Sequence, residues 1–115
     1  MTELEKLVIE RMLADTRLAV TRRTLNFDLV VIRERSFSGT GFMAIFEPSE
    51  ELELLAPDES PRWGHVGAWL NSSIQTGYVA YVDHGCLEAL EGFVYAPAIW
   101  WPDSIEQIEL VDDPG

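Results

Sequence analysis

The chain has 115 residues, 47% hydrophobic and 24% charged, a size and balance that fit one globular domain over 1–115. Eight basic and twenty acidic residues give a formal net charge of −12, which disfavours nucleic acid and anionic membranes as partners. The single cysteine, Cys86, excludes an internal disulfide, and no apolar run approaches the ~18 residues that cross a bilayer.

The first predicted element is a helix over about residues 3–14. Thr2 and Glu5 have the spacing of a capping box. Leu4, Leu7, Val8, Met12 and Leu13 then recur at helical spacing and form one apolar stripe. The segment from Asp15 to Leu25 reads either as an extension through Leu18 and Ala19 toward Arg22-Arg23 or as a loop.

From Asn26 the period changes to two. Phe27, Leu29 and Val31 predict a strand that ends at the charged run Arg33-Glu34-Arg35. Ser36–Gly41 is turn chemistry, and Phe42–Glu47 is the returning strand, stopped by Pro48. Leu52–Pro57 reads as a short strand, followed by a polar loop. Trp63–Leu70 is a further strand whose glycines mark a bulge or a close backbone approach. Asn71–Gly77 reads as a loop. Gly77–Asp83 and Cys86–Tyr95 form a hairpin joined at His84-Gly85, and Ile105–Val111 reads as a terminal strand or a short helix. Sequential strands with short links pair with their neighbours. The expected fold is therefore α+β: an N-terminal helix packed on an antiparallel β-meander of about five or six strands.

The densest chemistry is Asp83-His84-Cys86. A two-residue type I′ turn needs positive φ at both central positions, which Gly85 adopts freely and His84 tolerates. That turn sets Asp83 opposite Cys86, Val82 opposite Leu87, Ala80 opposite Ala89 and Tyr81 opposite Glu88. A Cys–His catalytic pair needs a thiolate, which Asp83 and Glu88 disfavour. A zinc site would need Cys86, His84, His65 and an acid together, without the usual paired spacings. Ser38–Gly41 lacks the lysine and helix of a phosphate loop. Glu88 and Glu91 fall on opposite strand faces by parity, which argues against a paired-carboxylate site. The expectation is no catalytic residue, no metal and no cofactor.

The charge distribution points elsewhere. Residues 1–35 hold seven basic and six acidic groups, and the rest hold one basic group, Arg62, against fourteen acids. Such a surface attracts a basic partner. Trp100 and Trp101, adjacent in an irregular stretch, are expected to divide, one buried over the sheet edge and one exposed as an anchor ringed by Asp103 and Glu106. The opening MTELEKLVIER lacks the basic and apolar regions of a secretory leader, so the expected location is cytoplasmic.

The stretch from Gly77 to Pro102, GYVAYVDHGCLEALEGFVY followed by WWP, resembles small uncharacterised bacterial α+β proteins, some of the immunity type that neutralise toxins. The resemblance covers about a quarter of the chain. Its elements are structural, so it implies a hairpin and transfers no catalytic residue. His84 and the doubled tryptophan depart from it.

The leading expectation is a non-enzymatic acidic binding protein, sharpest as an immunity or inhibitor protein for a basic partner. Its expected partner-binding residues are Glu88, Glu91, Trp100, Trp101, Asp103 and Glu106. One alternative is a small homo-oligomeric domain, such as a homodimer paired through its sheet edges. The other is a hydrolase-type enzyme using Asp83, His84 or Cys86.

Overall fold

The computed structural model describes residues 1–15, 20–21, 24–58, 62–96 and 99–112, with the backbone alone at Arg62, Trp63 and His65. One helix, α1 (Glu3–Leu13), lies on a six-stranded antiparallel sheet. The strands are β1 (Ile32–Phe37), β2 (Gly41–Phe46), β3 (Arg62–Leu70), β4 (Ile74–Asp83), β5 (Cys86–Val94) and β6 (Ile108–Asp112). The expected α+β architecture is present.

The capping box forms as read: Thr2 Oγ1 accepts from the Glu5 amide, and Glu5 Oε1 accepts from the Thr2 amide. Ala14 is the C-cap, so α1 stops there. Leu18, Ala19, Arg22 and Arg23, on which the longer helix depended, lie outside the described residues. Leu4, Val8, Ile9, Met12 and Leu13 are buried, whereas Leu7 is only half-buried. The buried stripe is therefore rotated slightly, and it takes in Glu5.

The sheet order is β1-β2-β5-β4-β3-β6. β1–β2 and β3–β4–β5 are runs of sequence neighbours, but β5 lies beside β2, and β3 pairs outward with β6. This leaves β1 and β6 as the edges. Phe42, Ala44, Phe46, Val66, Ala68, Leu70, Tyr78, Ala80, Val82, Leu87 and Leu90 face the covered side and join the helix in one core. α1 packs on β3 and β6. Two ion pairs tie it to the two edges: Arg35 of β1 reaches Glu5 near the start, and Arg11 near the end reaches Asp112 of β6.

Three sequence expectations change here. Phe27–Leu29 is a 3-10 turn, capped by the Asn26 side chain on the Asp28 amide at 3.1 Å, and the strand begins at Ile32. Leu29 and Val31 are exposed, so their alternation with Phe27 did not signal a buried face. Leu52–Pro57 forms two single bridges, Glu53 with Cys86 and Leu55 with Val20. The expected loop at Asn71–Gly77 is only a tight turn, because β4 starts at Ile74.

A chain of hydrogen bonds crosses the core. The Thr76 hydroxyl donates to the Ala68 carbonyl at 3.0 Å. Its oxygen is then free to accept from the Tyr78 phenol, 2.9 Å away. Burial holds the Tyr78 phenol well above its usual pKa, with the Thr76 contact opposing it only in part.

Candidate functional site

The two ends of the sheet carry the sequence candidates, and they are built differently. At one end is the β4–β5 tip. His84 and Gly85 both have positive φ, +50° and +78°, as a type I′ turn requires. Asp83 pairs with Cys86 and Val82 with Leu87, as expected. A bulge follows, so Ala80 faces Leu90 and Tyr81 faces Ala89, not the residues that plain alternation assigned. Leu87 and Leu90 are both buried three positions apart, so parity no longer separates Glu88 from Glu91.

The tip serves as a dock. The Gly85 carbonyl accepts from the amides of both Leu54 and Leu55 at 3.0 Å. A Cβ on Gly85 would lie 2.3 Å from the Leu55 oxygen, so only glycine fits. Leu52, Leu54 and Leu55 are thereby held in the core. His84 and Asp83 point outward, 81% and 51% exposed, with Nε2 to Oδ1 at 3.7 Å. Burial pushes the Cys86 thiol above its ordinary pKa. A backbone bond from Ser49 offsets part of this, and the carboxylates of Glu53, Glu88 and Asp83 push it further. Those influences disfavour the thiolate a nucleophile needs. Among the described residues no group of three or more His, Cys, Asp or Glu is arranged to hold a metal ion. The His65 side chain, named in the zinc option, lies outside the description.

At the opposite end, the segment after β5 passes the β1–β2 turn before reaching β6. Trp101 is half-buried, with its ring 5.3 Å from Phe42 and 6.4 Å from Tyr78, both edge-on. Its amide donates to the Gly39 carbonyl at 2.7 Å. Trp100 is 69% exposed, yet its ring lies where a Cβ on Gly39 would be. The pair does divide into one covered and one exposed ring, and together they clasp the β1–β2 turn.

Compared with known proteins, the chain matches no family model, no curated protein and no solved structure.

Asn71 anchors the same segment. Its φ is +52°. Its Oδ1 accepts from the Glu106 and Gln107 amides, and its Nδ2 donates to the Ser104 carbonyl. Sequence reading saw here only the start of a loop, Asn71–Gly77. The signal available was an asparagine between two strands, a residue that tolerates left-handed backbone and bonds locally.

The six expected partner-binding residues do not converge. Glu88 lies two positions past Cys86, near the tip. Glu91 is on the uncovered side of β5, where its Oε1 accepts from the Tyr81 hydroxyl at 2.8 Å. Trp100, Asp103 and Glu106 are exposed at the far end, with Trp101 tucked beneath them. Sequence reading missed Phe37, the last residue of β1, which is 67% exposed at that same end. It also missed a cleft of about 360 Å³ there, between the first turn of α1 and the segment from Trp101 to Ile105.

Proposed function

We propose that this chain is a non-enzymatic binding protein for a basic protein partner, of the immunity or inhibitor type. The observation that carries this reading is a charge pattern carried on strands. β2, β4, β5 and β6 contain no lysine or arginine, while β4, β5 and β6 bear Asp83, Glu88, Glu91, Glu109 and Asp112. An excess of carboxylates over basic groups speeds the encounter with a cationic surface and repels anionic competitors. Exposed aromatic side chains at one end supply the kind of anchor that carries most interface energy. The raised Cys86 thiol and the dock role of the His84-Gly85 turn weigh against chemistry at the tip.

The test is recovery of the tagged chain from its own cells at low salt. A basic polypeptide released as ionic strength rises to about 1 M, where the screening length is ~3 Å, supports the reading. Recovery of chaperones alone, or of a partner held equally well at high salt, rejects it. Binding that survives Trp100→Ser combined with Glu106→Gln also counts against those residues.

A further inference from the structure

The cleft at the start of α1 has a more specific chemistry than the acidic surface as a whole. Its walls are apolar: Phe37, Phe42, Trp101 and Ile105. Its cation, Arg35, is already committed. Arg35 Nη2 lies 2.6 Å from Glu5 Oε1 and Nε 3.3 Å from Oε2, and Glu5 is 2% exposed. That pair cancels. What remains at the lips is Glu3 and Asp103, both exposed, and among the described residues neither is in an ion pair. The cleft therefore combines aromatic walls with two unbalanced negative charges.

We propose that this cleft receives a lysine or arginine side chain projecting from the partner. A long basic side chain lays its methylene stem on apolar surface and keeps its charged head at a polar border. A guanidinium is also drawn to the faces of aromatic rings. The cleft supplies both surfaces: the rings of Phe37, Phe42 and Trp101 in its lining and the exposed carboxylates of Glu3 and Asp103 beside them. A second copy of this chain is a poor occupant, because it would bring further carboxylates against Glu3 and Asp103. The inference rests on the proposed function and gives it a location. It keeps Asp103 and Trp101, sets aside Glu88 near the other end of the sheet, and adds Glu3 and Phe37.

The test uses a capped Gly-Arg-Gly peptide titrated into the ¹⁵N-labelled full chain at low salt, with a citrulline peptide as the neutral isostere. Saturable shifts are expected at residues 2–5, at Phe37 and at the Trp101 indole, and none with citrulline. Glu3→Gln with Asp103→Asn is expected to weaken binding roughly fivefold to tenfold. Phe37→Ala is expected to weaken it without changing the fingerprint of the rest of the sheet. Shifts centred on Asp83 and Glu88, or binding unaltered in those variants, overturn the cleft and leave the basic-partner reading standing. Equal response to citrulline overturns the charge basis of the cleft. No saturable shift anywhere, together with no basic polypeptide in the recovery experiment, overturns both.

Discussion

The two ends of this sheet invert what their sequences advertise. The tip of β4–β5 gathers Asp83, His84 and Cys86 within four positions, yet its turn backbone is spent on docking a neighbouring segment. Gly85 holds the 54–55 backbone, and the thiol beside it is raised by burial and by carboxylates. The far end has no comparable motif. There Phe37 and Trp100 stand in solvent, and a cleft opens beside them. The difference teaches that a cluster of reactive residue types in a tight turn reports turn geometry first. Exposure of large apolar groups beside unbalanced charge is the better sign of a binding surface.

The sharpest way to break this comparison is at the docked turn. Gly85→Ala is expected to cost about 3–4 kcal/mol, read as a lower urea midpoint. It forces a Cβ into left-handed backbone and against the Leu55 carbonyl, displacing both docked amides. A loss under about 1 kcal/mol, a minor effect among destabilising substitutions, would mean the 52–56 segment is held by something else.

Next is the pair beneath the open end. Arg35→Met leaves the buried Glu5 carboxylate without its counter-charge. Removing one member of a buried pair costs roughly 3–5 kcal/mol, and the 29% exposure of Arg35 moves the expectation to about 2–3. Adding Glu5→Gln should recover part of that loss, because the stranded charge is gone while the side chain still caps Thr2. No recovery would argue that the loss is one of packing alone.

Tyr78→Phe should cost about 1 kcal/mol at neutral pH, the net worth of one buried hydrogen bond. Thr76 keeps its bond to Ala68 in that variant. The sign of the pH dependence follows from the raised phenol. The folded state favours the protonated form, so this stability is fully present below the ordinary tyrosine pKa of about 10 and is lost progressively as pH rises above it. Urea midpoints above pH 10 should fall less steeply in the variant than in the parent chain.

The smallest expected effects are at exposed groups. His84→Asn should change stability by less than about 0.5 kcal/mol, since asparagine also accepts positive φ. A loss of some measured activity in that variant at unchanged stability would return the tip to chemistry. Arg11→Ala removes an exposed pair with Asp112 and should cost at most about 0.5 kcal/mol.

Local signals in the chain proved readable where the physics is local. Thr2 and Glu5 cap a helix because their side chains reach backbone amides three residues away, and His84-Gly85 turns because of its own φ angles. Gly64 falls within a register shift between Trp63 and Val66, as a strand glycine suggests. Failures arose where a second partner decides the outcome. Alternation at Phe27, Leu29 and Val31 looked like a strand, but Asn26 captures the Asp28 amide and the chain curls. The bulge between Tyr81 and Val82 depends on two strands in register, and β5 lies beside β2 through pairing that no short window contains. The division of Trp100 from Trp101 was readable from their adjacency. The cleft was not, because it joins Glu3, Phe37 and Asp103 across 100 positions of sequence.

The arrangement of α1 has a consequence for the order of assembly. This helix precedes all six strands in the sequence, yet it seats on β3 and β6, and β6 is the last of the six. Its apolar stripe therefore stays partly unsheltered until β3 and β6 are both in place. Its closing contact joins elements almost a whole chain apart, the kind of long-range step that slows folding.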